Sequence, residues 1–134
     1  MSEPTEPHHT IVSTSAAPAA IGPYSQAVQA GPMTFISGQI PLDPQTGEIV
    51  GTGDVAAQTR RVMANLLAIV DAAGHRPHEI VRCTIFLKSL SDFQIVNGIY
   101  AEALGGHRPA RATVEVARLP RDVLVEIDAI CVRA

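Results

Sequence analysis

Hydrophobic and polar positions along the chain fall into short alternating runs and two longer stretches of helical period. His9–Ser13 reads as a short strand, and the small, proline-containing Ala16–Ile21 as loop. Ser25–Ala30 and Met33–Ser37 are two strand-like runs joined by Gly31-Pro32. That pair fits a type II′ hairpin turn, because glycine supplies the positive φ needed at the first central position. Val55–Ala73 carries Val55, Val62, Leu66, Ile69 and Ala73 at spacings of seven, four, three and four. Met63, Leu67 and Val70 widen this stripe to that of a helix lying on a sheet. Asp54 or Thr52 is placed to cap its start, and Gly74 ends it. Ile80–Leu87 sets Val81, Cys83, Ile85 and Leu87 on one face of a strand. Ser91-Asp-Phe-Gln94 has the form of a capping box opening a second helix that Gly105-Gly106 stops near Leu104. Phe93, Val96, Ile99, Tyr100 and Ala103 form its apolar side. Alternation returns in Arg111–Arg118 and in Val123–Val132.

The order is therefore β-β-β-α-β-α-β-β, an α+β two-layer sandwich with a mixed sheet and both helices on one face. In the last strand Val125, Ile127, Ala129 and Cys131 lie under the helices, which leaves Leu124, Glu126, Asp128, Ile130 and Val132 opposite. Much of that second face is aliphatic, and no third layer is encoded to cover it. It predicts a homo-oligomer whose sheets pack together, with sites at the seams between subunits.

Composition sharpens this in a few places. The 134 residues suit one domain over 9–134, after a polar, proline-broken stretch at residues 1–8 that reads as a disordered tail. A net charge of −3 and the absence of a basic run argue against nucleic acid as the main partner. No apolar stretch is long enough for a membrane span, and no leader is apparent. Cys83 and Cys131 both sit in apolar strand runs, which suits buried reduced thiols in a cytoplasmic protein, with a disulfide left open. The one lysine, Lys88, ends a strand at a turn, where it reads as solvated rather than catalytic. The five histidines form no metal-ligand spacing, and no phosphate-binding loop is present. An enzyme built from this chain is expected to use neither metal nor cofactor.

The chemistry then narrows to Arg111, which opens a strand directly after Pro109-Ala110, and Glu126 in the following strand. A guanidinium fixed at a sheet end suits bidentate recognition of a carboxylate. The same two residues also read as an ordinary cross-strand ion pair.

Four separated motifs decide between these readings. Ile21-Gly-Pro-Tyr-Ser-Gln26, Ser37-Gly-Gln-Ile-Pro41, Asp92-Phe93 with Val96-Asn97, and Pro109-Ala-Arg111 followed by Val114-Glu-Val-Ala-Arg-Leu-Pro120 resemble the reactive intermediate deaminase family, RidA/YjgF. The resemblance spans roughly residues 14–132. It implies a chorismate-mutase-like fold, a homotrimer with clefts between subunits, and cofactor-free hydrolysis of 2-imino acids and enamines, such as 2-aminoacrylate and 2-iminobutyrate, to 2-keto acids and ammonia. It also implies that Arg111 binds the substrate carboxylate, Glu126 holds the attacking water and Tyr24 closes the cleft. Ser37, Asn97 and Thr113 complete the expected substrate-binding set, Thr113 standing where some relatives carry cysteine. Glu115 and Arg118 lie within the motif and are assigned to fold or assembly. The loop Gly105–Arg108 is shorter than in some relatives and borders the expected cleft, so it bears on side-chain preference. The alternative is a non-catalytic trimer that binds small keto or amino acids with the same arginine. Ribonuclease activity, attributed to some relatives, is disfavoured by the acidic charge, the scattered arginines and the lack of a catalytic histidine pair.

Overall fold

The computed structural model describes residues 8–134, so the expected tail lies outside the described residues except for His8. Six strands, β1 (His9–Val12), β2 (Ala27–Ala30), β3 (Met33–Gln39), β4 (Ile80–Leu87), β5 (Ala110–Glu115) and β6 (Val125–Val132), form one sheet. The helices are α1 (Val55–Ala72) and α2 (Phe93–Leu104). The chain order is the predicted one. The order across the sheet is β1-β2-β3-β6-β4-β5, antiparallel except where β5 runs parallel to β4. The β4-α2-β5 crossover thus sends β5 to an edge and leaves β4 between it and β6. An ion pair between neighbouring strands, one reading of Arg111 and Glu126, is therefore ruled out by topology.

Each element follows from its residues. Gly31, at φ 61°, turns the β2–β3 hairpin, with Ala30 opposite Met33. Asp54 caps α1 by accepting from Ala57 N at 3.1 Å. Val62, Leu66, Ile69 and Val70 are fully buried on the sheet, beside Cys83, Ile85, Leu87, Val125, Ile127, Ala129 and Cys131. Truncating such a leucine costs about 2–5 kcal/mol.

Two local expectations are corrected. The pairing of β4 with β6 shifts between Ile80 and Arg82, so Ile80 enters the core and Val81 turns out, 43% exposed. A bulge adds a residue that strict alternation does not register. The capping box at Ser91–Gln94 does not form. Leu90–Asp92 is a 3-10 turn, Ser89 Oγ accepts from Ser91 N at 3.2 Å, and Asp92 precedes α2 without a side-chain cap.

The face away from the helices carries Ile11, Val28, Phe35 and Ile130 in one row across four strands. Ile11 and Phe35 are exposed there, so the open apolar face read from β6 extends over much of the sheet.

Candidate active site

Arg111 stands opposite Cys83, which is fully buried beneath the helices, so its side chain leaves β5 toward α2. There the guanidinium lies 5.6 Å from the Phe93 ring centroid and 5.2 Å from that of Tyr100, within cation–π range. Its Nη1 donates to Asn97 Oδ1 at 2.7 Å. One helix therefore supplies two rings and an amide, at i, i+4 and i+7, that fix the arginine without neutralising it. The cavity beside it, about 460 Å³, is bordered by Asn97, Tyr100, His107 and Arg108 as well as Arg111. His107 is positioned by donating from Nε2 to Ile80 O at 2.6 Å.

Tyr100 Oη, on the ring beside this arginine, and Thr113 Oγ1, two residues further along the same face of β5, are buried, and neither has a hydrogen-bond partner among the described residues. Burial, then the neighbouring Cys83 thiol, raises the Tyr100 phenol well above its ordinary value, so it stays protonated. Orphaned polar groups of this kind are uncommon and suit a site that is completed by a bound molecule.

Glu126 stands opposite Phe86, one strand and one pleat away, and points to the open face. Its carboxylate lies on Gly38, where an added Cβ would meet Glu126 Oε2 at 2.0 Å. Burial, then the Asp128 carboxylate on the same face, raises the Glu126 pKa above its ordinary value. Gly38 also borders a second cavity, about 270 Å³, together with Tyr24, Ile21, Gln39 and Arg121. Tyr24 is 53% exposed, and its hydroxyl accepts from Ile21 N at 3.3 Å. Ser37 Oγ is committed to Ser25 O at 2.6 Å and ties β3 to the Tyr24 turn.

The six sequence-predicted residues thus separate into two groups. Arg111, Asn97 and Thr113 meet on the helix side at the β5 edge. Glu126, Tyr24 and Ser37 gather around Gly38, with Glu126 on the opposite face.

A sequence profile described as Endoribonuclease L-PSP matches residues 14–133. The 2-iminobutanoate/2-iminopropanoate deaminase of Escherichia coli is 52% identical over 125 residues, covering 91% of this chain and 96% of the relative. The chain belongs to the YjgF/RidA family. Among solved family structures, the YjgF gene product of Escherichia coli superposes with a TM-score of 0.88 at 51% identity, covering 93% of this chain and 99% of that one. Escherichia coli TdcF, solved with bound serine, gives a TM-score of 0.89 at 48% identity, with 93% and 99% covered.

Within the family fold the remaining motif residues have local structural work. Glu115 Oε1 accepts from Leu90 N at 2.9 Å, and Arg118 pairs with Asp122 at 2.7 Å on the surface. Lys88 Nζ donates to Ala117 O. Both thiols are free and buried, and burial pushes Cys131 up to about 12, which makes it a poor nucleophile at neutral pH. No group of three or more His, Cys, Asp or Glu that could hold a metal ion occurs among the described residues.

Sequence reasoning missed two contributors. Gly38 is one, and its signal was a glycine inside a strand, which marks a close approach. Gln26 is the other. It is buried, donates to Thr14 O and Pro18 O, and accepts from Thr14 N, so it anchors the loop that walls the Tyr24 cavity. A glutamine at the end of a turn motif carries no such signal by itself.

Proposed function

We propose that the protein hydrolyses 2-imino acids and their enamine tautomers to 2-keto acids and ammonia, in clefts that two subunits of a homotrimer build together. The observation that carries this reading is the state of Arg111: a half-buried guanidinium, stacked and hydrogen-bonded in place, facing a cavity whose border contains no acid among the described residues of its own chain. Such a group is preorganised for a carboxylate, and the contact contributes about 1.5–3 kcal/mol. Asn97 acts as a positioning residue for it.

The homotrimer explains why the two groups of site residues point away from each other. Packing one copy's open apolar face against the next carries Glu126 and the Tyr24 turn toward a neighbour's β5 edge. Burial of Glu126 suits a water-activating base, because a pKa moved toward the working pH strengthens it. Water polarised by Glu126 attacks the imine carbon, the carbinolamine loses ammonia and the carbonyl forms. Proton transfer of this kind contributes about 10²–10⁴-fold, with positioning adding more. The deaminase name of a relative at 52% identity supports the same chemistry.

The test is the rate of keto-acid formation from freshly generated 2-iminobutyrate and 2-iminopropionate, with remaining imine trapped by semicarbazide. The native protein accelerates hydrolysis, while Arg111→Ala and Glu126→Gln do not. If the native protein gives no acceleration yet binds 2-oxobutyrate through Arg111, the protein is the non-catalytic binder instead.

A further inference from the structure

The border of the Arg111 cavity holds a second guanidinium that the reaction as described does not use. Arg108 lies three residues before Arg111, with the two Cα atoms at most about 11 Å apart, and lines the same cavity. It is exposed, and among the described residues it makes no hydrogen bond or ion pair. Among the described residues of its own chain no Asp or Glu lines the cavity, and His107, beside Arg108, adds a ring whose Nε2 is already engaged with Ile80 O. Pro109 restricts the backbone between the two arginines, so both side chains leave the chain at fixed points on the border of the same cavity. A cleft with one arginine at its floor and another at its rim presents two anion sites to one ligand, where a monocarboxylate fills only the first.

We propose that Arg108 is a specificity-determining residue that directs this cleft toward 2-imino acids with an acidic side chain, the imines of 2-oxosuccinate and 2-oxoglutarate. The inference rests on the deaminase reading and adds the substrate class. The α-carboxylate sits on Arg111, and the distal carboxylate meets Arg108. The chemistry is unchanged. Water oxygen bonds to the imine carbon, the nitrogen gains protons, the C–N bond breaks to release ammonia, and the C=O forms, with the side-chain carboxylate a spectator. No oxidant or reductant is required. Such imines arise from enzymes that oxidise or dehydrogenate acidic amino acids, so a reaction of that class would supply the substrate.

Calorimetric titration of the native oligomer with 2-oxoglutarate and with 2-oxobutyrate, the stable keto acids, reads the preference without turnover. Parallel kcat/KM values for 2-iminoglutarate and 2-iminobutyrate read it in catalysis. The dicarboxylate is expected to be favoured by about tenfold or more, with the ratio falling toward one in Arg108→Gln and surviving in part in Arg108→Lys. If 2-iminobutyrate is hydrolysed but the ratio in the native protein is one or below, or is unmoved by Arg108→Gln, the inference is overturned and the deaminase reading stands. If no imine is hydrolysed while 2-oxoglutarate binds with an Arg108-dependent preference, the deaminase reading fails and the dicarboxylate site remains. If Arg108→Gln instead dissociates the oligomer, Arg108 is an assembly residue and the inference fails.

Discussion

Gly38 and Glu126 are in van der Waals contact across β3 and β6, with the carboxylate occupying the space a Cβ at position 38 would take. Any larger residue there has to move the acid. Gly38→Ala is expected to rotate Glu126 out of place and lower kcat for imine hydrolysis by about 10²-fold. Its stability cost stays near 1–3 kcal/mol, because the far end of a side chain yields more easily than backbone. Comparing initial rates with the denaturation midpoint separates the two effects, and equal losses of activity and fold would speak against a role for the contact.

Asn97 holds Arg111 from α2 through a 2.7 Å hydrogen bond. In Asn97→Ala the guanidinium keeps its aromatic neighbours but loses this direction. KM for 2-iminobutyrate is expected to rise about tenfold, the equivalent of a charge-assisted hydrogen bond, with kcat changed less. A KM unchanged from the native protein would remove Asn97 from the site.

Under the proposed mechanism, the raised pKa of Glu126 is expected to set the acid limb of the pH–rate profile. Catalysis by its ionised form is lost as pH falls through a midpoint above the ordinary carboxylate value, and Asp128→Asn, which removes the second-ranked cause, moves that midpoint down. The stability effect has the opposite sign to that of a paired acid. A carboxyl raised in the folded state favours its protonated form, so stability is lost as pH rises from the unfolded toward the folded value. Glu126→Gln is therefore expected to be at least as stable as the native protein at neutral pH, while inactive.

Glu79 behaves in the reverse way. It accepts from Ala134 N at 2.8 Å, from Arg76 N at 2.9 Å and from His75 Nδ1 at 3.2 Å, and His75 Nε2 shares a 2.6 Å hydrogen bond with Thr34 Oγ1 in the core. The Ala134 and Arg76 amides lead in depressing Glu79 from an ordinary 4.5 to about 2. Its stabilising contribution is present above the ordinary value and is lost as pH falls through that interval. Thermal melts from pH 7 to 2 are expected to show a steeper acid decline for the native protein than for Glu79→Gln, and parallel declines would contradict the assignment.

Much of this was legible in the chain because alternation and helical period report which side of an element is buried. The β6 split between Val125, Ile127, Ala129, Cys131 and their neighbours is the clearest instance. The bulge at Val81 was not legible, since one extra residue resets the period silently. Nor was the place of β4 between β5 and β6, although residues 116–124 make too long a connection for a simple hairpin. Among the candidate site residues, Arg111 and Glu126 announce themselves as charges in strands. Gly38 and Gln26 act by the room they leave and the backbone they hold, which composition does not display.

Placing Arg111 and Glu126 on opposite faces of one sheet has a genetic consequence under the proposed assembly. Two inactive chains, one carrying Arg111→Ala and the other Glu126→Gln, each keep the half that the other lacks. Refolded together, they form hybrid particles in which an intact arginine of one faces an intact glutamate of the other, and activity returns from two dead parents. A site contained within a single chain would show no such rescue.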